Sequence, residues 1–191
     1  MNHHGLGASD HDRADGKYPA SRQAQDADRA AILEFCAQRP VALERPDLRI
    51  THACWDADSI RAVRDDGRGT LATYADFAGR LTAESIATGL KARADAEEAI
   101  YREAITDEHA AVPLLLDSAR DDEIYQMGNP LRIITSGKER LATAPFFASG
   151  KWRMLERVAW WQEYEDPVPV IFGHYWRSWS ATDYGAAGHP K

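Results

Sequence analysis

Hydrophobic and polar positions change period along this chain, and each change marks an element. Ala30, Leu33 and Ala37, joined by Ile32 and Cys36, recur at the spacing of one helical face. That run starts near Ser21 and stops before Pro40, which biases its predecessor out of the helix. The next stretch, VALERPDLRITHACW, alternates with a period of two on both sides of Arg45-Pro46-Asp47, the pattern of a β-hairpin. DADSIRAVR follows as a helix, with Asp56 or Asp58 as its N-cap. Residues 65–79 carry Gly67, Gly69 and Gly79 and read as irregular. Two short helices are predicted over 81–88 and 91–105, separated at Gly89. From Pro113 onward the chain reads as strands: PLRIITSG, KWRMLERVAWW, and VPVIF, entered through Pro167 and Pro169. Residues 1–21 are polar and rich in Gly, Asp and His, a loop or mobile tail. Strand–helix alternation followed by a β-rich half predicts an α/β chain, with α+β as the alternative.

Composition narrows the function classes. The 191 residues suffice for one well-packed domain or one and a half small ones. A formal net charge of −7 without a basic block argues against nucleic acid and against an anionic membrane surface as partners. No apolar run approaches bilayer-spanning length, and MNHHGLGASDHDRADG lacks the apolar core of a signal peptide. Two cysteines, Cys36 and Cys54, are too few for a disulfide scaffold, so reduced thiols in the cytoplasm are expected.

His52 and His174 each follow a strand-like run, in LRITHACWD and PVPVIFGHYWRSW. Functional groups collect at the carboxyl ends of strands in open α/β sheets, where the sheet is a rigid mount. Gly173 would let the backbone turn sharply ahead of His174. Each histidine is readable either as a hydrogen-bonded cap on the core or as a ligand. At the N-terminus, Asn2 and His3 place an amide and an imidazole side by side, both competent donors to a divalent ion such as Mn, Fe or Zn.

Taken together, NHH, THACWD and VIFGHYW resemble the metal-binding motifs of calcineurin-like metallophosphoesterases. NHH looks like the end of that family's Gly-Asn-His-Glu/Asp signature, THACWD like its strand-end histidine motif and VIFGHYW like its late Gly-His motif. The resemblance is to the bacterial subgroup related to serine/threonine protein phosphatases and diadenosine tetraphosphatases. EHAAVPLLL, LRIITSGKER and GKWRMLERVAWWQEYEDPVPV are similar to its substrate-covering region, and the likeness spans roughly residues 1–180. It implies a partial metallophosphoesterase-type β-sandwich flanked by helices over 22–180, with a helical insertion near 81–106, a flexible segment over 1–21 and a tail over 181–191. It also implies that Asn2, His52 and His174 ligate one ion of a two-metal site and that His3 protonates the leaving oxygen. Two such ions clamp a phosphoryl group and make hydroxide available near neutral pH. The substrate would be a phosphoprotein, a dinucleoside polyphosphate or a small phosphoester.

The chain departs from the family's pattern in lacking its Gly-Asp-x-His and Gly-Asp-x-x-Asp-Arg-Gly segments, which supply the other metal's ligands, the bridging carboxylate and a phosphate-binding arginine. Met1 also stands where the family has glycine. Impaired activity is therefore expected, and a non-catalytic remnant or a mononuclear metal-binding protein are the rival readings. A strand over 151–161 would put Lys151, Arg153 and Arg157 on one face, opposite Trp152, Met154, Val158 and Trp160. That cationic face is either solvated or a phosphate-binding replacement for the missing arginine. Trp160-Trp161, Trp176 and Trp179 are core or base-stacking groups. Cys54 reads as a buried, inert thiol rather than a ligand.

Overall fold

The computed structural model describes residues 24–175. A boundary between Arg39 and Pro40 divides the described residues into two units. In the first, helix α1 (Asp26–Ala37) opens with the Gln25 N–H donating to the Asp28 carboxylate at 3.0 Å. Asp26 and Asp28 also place negative charge in its first turn, where the helix dipole favours it. Within this unit none of its residues is buried; Ile32, Leu33 and Phe35 are exposed, and the Arg39 guanidinium lies over the Phe35 ring at 4.3 Å.

The second unit begins with the expected hairpin. Strands β1 (Ala42–Arg45) and β2 (Leu48–Thr51) pair antiparallel, with Arg45 opposite Leu48 across the turn. Arg45 grips Asp47 through two hydrogen bonds of 3.0 and 2.9 Å. Asp56, not Asp58, caps helix α2 (Ala57–Asp66), accepting from the Ser59 N–H at 3.0 Å and the Ser59 hydroxyl at 2.6 Å.

Helix α3 (Thr70–Ala87) corrects the irregular reading of 65–79 and starts well before the expected residue 81. Gly67 and Gly69, at φ of 67° and 88°, make the turn, whereas Gly79 sits inside the helix. A helical glycine costs only about 1 kcal/mol relative to alanine, which packing offsets. The predicted break at Gly89 is present (φ 70°), and helix α4 (Leu90–Ile100) follows, ending before the expected residue 105.

The region from Pro113 is not all strand. It opens with helix α5 (Leu116–Gly128) and helix α6 (Pro130–Ser136), so the strand expected for PLRIITSG is a helix. Asn129 accepts from the Leu131 N–H at 3.1 Å as N-cap and donates to the Tyr74 carbonyl at 3.2 Å, while Pro130 occupies the first turn. Strands β3 (Glu139–Ala148) and β4 (Lys151–Arg157) then form a hairpin. Its two-residue loop, Ser149-Gly150, has φ of 51° and 76°, the positive pair that type I′ turns require. Strand β4 ends at Arg157, short of the expected 161, and Trp160–Gln162 form a single 3₁₀ turn.

Strand β5 (Val170–Phe172) returns to lie parallel to β2, giving the sheet order β1-β2-β5. Ala42, Val170 and Phe172 pack on a cluster of Cys54, Trp55, Ile60, Ile133, Ile134 and Trp160. The β3–β4 hairpin, through Met154, Trp152 and Leu155, packs instead with Val112, Leu115 and Ala119. The class is mixed α/β, as the alternating pattern predicts, and the sandwich remains an implication of the resemblance. Among the described residues no helix is long and apolar enough to cross a membrane.

Candidate metal centre

Parallel pairing of β2 with β5 places Thr51 opposite Phe172, so the histidines that follow the two strands emerge side by side. The Gly173 N–H continues the ladder by donating to the His52 carbonyl at 3.0 Å. The imidazole centroids of His52 and His174 lie 5.1 Å apart, with planes inclined by 59°. Among the described residues neither ring makes a hydrogen bond; His52 is exposed and His174 half-buried, so both rings are open to solvent. A core-capping histidine would spend at least one nitrogen on the protein.

Each mount is stiff for an identifiable reason. After β2, the Ala53 and Cys54 N–H groups both donate to the Ile134 carbonyl, at 3.0 and 3.3 Å. The Thr51 hydroxyl reaches the Cys54 and Ile134 carbonyls at 3.2 Å, and the Trp160 indole N–H donates to the Ala53 carbonyl at 2.9 Å. The loop that presents His52 is thus tied to the end of α6. After β5, the Tyr175 N–H donates to the Gly173 carbonyl at 2.7 Å, closing a three-residue turn around His174 at φ 66°. Such a positive-φ γ-turn is rare and strained, and a non-glycine residue there costs about 1–3 kcal/mol. Aromatic packing holds it: Phe172 stacks on Trp161 at 5.5 Å, and Trp161 meets Tyr175 at 5.0 Å.

Upstream, Arg49 fixes the approach of β5. Its guanidinium donates to the Tyr164 hydroxyl at 2.7 Å, pairs with Asp166 at 2.6 Å and lies over Trp55, while its N–H donates to the Pro169 carbonyl at 2.9 Å.

Electrostatics favour the neutral form of His174. Burial, then the Arg157 charge and the neighbouring His52, push its imidazole below the ordinary histidine value. Arg157 is the member of the cationic face that the structure brings close, with its guanidinium over the Tyr175 ring at 5.5 Å. Arg153 donates to the Ala148 carbonyl at 3.2 Å, and Lys151 stands at the far end of β4, about 20 Å along the strand from Arg157. Trp152 and Met154 pack on the core side, as the period of two predicts.

Cys54 is fully buried, and burial pushes its thiol up to about 12, consistent with an inert core group. Asn2 and His3 lie outside the described residues. Among the described residues no group of three or more His, Cys, Asp or Glu side chains converges on a metal-sized site. No family model, curated protein or solved structure matches the chain.

Two adjacent imidazoles on strand ends are donors of the type that borderline divalent ions such as Zn, Fe or Mn accept, although the Arg157 charge beside His174 works against a cation there. Sequence reasoning missed the pair formed by Lys138 and Asp56, at 2.6 Å. Nothing local marks it, because the partners belong to separate elements. Tyr175 was given no role of its own from sequence, although its place beside His174 was a visible signal.

Proposed function

We propose that this chain belongs to metal-dependent phosphoester hydrolysis, in the manner of the calcineurin-like metallophosphoesterases its motifs resemble. The observation that carries the reading is the 5.1 Å approach of His52 and His174 from the ends of two parallel strands. In this reading His52 and His174 hold one divalent ion, with Asn2 as a further donor and His3 as the proton donor to the leaving oxygen. A bound ion supplies Lewis acidity towards a phosphoryl group. Arg157, which reaches the same corner through Tyr175, binds a phosphoryl oxygen of the substrate and orients it. The substrate class is a phosphoprotein, a dinucleoside polyphosphate or a small phosphoester. A cytoplasmic location belongs to the same reading and is supported by the free thiols of Cys36 and Cys54.

A mononuclear metal-binding protein is the second reading. It is favoured by the absence, among the described residues, of an acidic group completing a cluster with the imidazoles. A carboxylate that bridges two ions adds charge to both, and without one the affinity for a second ion falls. Titration with Zn2+, Mn2+ or Fe2+, followed by an aryl phosphate assay, separates the two. The expected outcome is metal binding lost in both His52→Ala and His174→Ala, with slow turnover lost in parallel. Binding without any turnover supports the mononuclear protein. Metal binding untouched by either substitution refutes both.

A further inference from the structure

Tyr175 touches both functional groups of this corner and holds them through its ring. The imidazole of His174 meets it edge-on at 5.8 Å, and the Arg157 guanidinium lies over its face at 5.5 Å. Behind it, Trp161 at 5.0 Å and Phe172 at 6.0 Å pack edge-on and fix its plane. Its backbone N–H closes the turn that keeps His174 at positive φ. The hydroxyl end runs into the backbone of Gly137, where a Cβ would fall 2.0 Å from the oxygen. That hydroxyl is buried with no hydrogen-bond partner among the described residues. What Tyr175 supplies is therefore the shape and quadrupole of its ring, not its O–H.

We propose that Tyr175 is the positioning residue of the site, setting the His174 imidazole and the Arg157 guanidinium in one fixed relation. This rests on the two-imidazole reading above and goes beyond it. An aromatic ring in van der Waals contact with an imidazole limits its rotation, so the donor nitrogen is pre-aimed before the ion arrives. A cation over the ring face has its long side chain confined as well, and confinement in the free protein lowers the entropy lost on binding. Tyr175 touches neither ion nor substrate; it acts through its two neighbours.

Zn2+ titration of the full chain tests the idea with a readout independent of turnover. Tyr175→Phe keeps the ring and loses an oxygen that has no partner, so its Zn2+ affinity is expected to stay near that of the unaltered chain. Tyr175→Leu removes the ring and is expected to weaken Zn2+ binding by about tenfold or more, the usual scale for groups that orient a metal ligand. The measurement is made where circular dichroism shows the variant folded. A merely structural contact would lower the unfolding midpoint and leave the affinity of folded molecules unchanged, and that result overturns the proposal.

Nuclear Overhauser contacts from the Tyr175 ring to His174 and Arg157 in the unaltered chain are expected, and their absence overturns it even where Tyr175→Leu fails to fold. Zn2+ binding that survives His174→Ala overturns the two-imidazole reading, and this proposal with it. Binding that needs His174 but ignores the loss of the Tyr175 ring overturns the positioning role alone.

Discussion

Replacing Gly137 with alanine puts a methyl group where the Tyr175 side chain already is. The new Cβ would lie 2.0 Å from the Tyr175 hydroxyl oxygen and 2.9 Å from Cζ. Something must shift to admit the methyl, and Trp161 and Phe172 pack against the ring that would have to move. The position also has φ 93°, which a side-chain-bearing residue adopts at a cost of about 1–3 kcal/mol. Overpacking of a filled interior adds about 1–3 kcal/mol. Together they predict a loss of about 4 kcal/mol, a large part of the 5–15 kcal/mol typical of a folded domain. Urea unfolding followed by tryptophan fluorescence is suited to the measurement, since Trp160 and Trp161 both pack in this cluster. The clash and the dihedral strain are separable. Tyr175→Phe removes the atom at 2.0 Å but leaves Cζ at 2.9 Å and the φ penalty, so the double variant should recover about 1 kcal/mol. A loss below about 1 kcal/mol for Gly137→Ala, or no recovery with Tyr175→Phe, would refute the packing of Tyr175 against Gly137.

Two further outcomes test the supports of the site. Burial alone would raise the Asp56 carboxyl, but Lys138 at 2.6 Å and the Ser59 hydroxyl and N–H more than offset it and hold it below the ordinary aspartate value. Its folded value being depressed, its stabilisation is complete above the unfolded value, about 4, and is lost as pH falls through the folded one. Asp56→Asn keeps an N-cap and removes the charge, so the gap in urea midpoint between the unaltered chain and this variant should close on acidification from pH 6 to 2; a gap that stays constant would refute the linkage. In the second core, Leu115 is 1% exposed and its N–H points at the Met154 sulfur at 3.4 Å. Leu115→Ala should cost about 2–5 kcal/mol in the same assay, and a loss under 1 kcal/mol would mean that α5 and β4 do not share that core.

The elements that could be read from sequence are those whose signal is local. The hairpin carries its own alternation and turn residues, α2 carries its cap, and β5 is entered through two prolines. Helix α6 was hidden because Ile133, Ile134 and Thr135 favour strands, and because Pro130, Leu131, Ile133 and Ile134 are all buried. A short helix covered on several sides shows no amphipathic stripe to find. Helix α5 was hidden for a different reason. Its buried face includes Ser118 and Asp121, whose side chains bond Glu98 and Ser85, so polar residues occupy positions where an apolar period was sought. Of the site, His52 and His174 could be singled out by their strand-end contexts. Their adjacency could not be derived from periodicity, because it follows from a parallel pairing between segments far apart in the chain. The three cations of β4 share a parity by alternation, yet only the fold tells which one lies over the Tyr175 ring beside His174.

The strain at His174 bears on the choice between a structural and a functional histidine. A residue whose only task was to cap the sheet could relax to negative φ, because nothing in the ladder requires His174 itself: the interstrand bond is made by Gly173. Instead the chain keeps a positive φ there, at about 1–3 kcal/mol, and surrounds the turn with Phe172, Tyr175 and Trp161. What the turn achieves is to swing one imidazole towards the other, with neither ring spending a nitrogen on the described protein. Imidazoles brought together this way repel each other once both are protonated, so their proximity adds nothing to stability at low pH. A shared ligand reverses that balance by drawing on both lone pairs at once. On the proposed metal-binding reading, the cost of the turn would be offset on filling the site, as expected of donors aimed in advance.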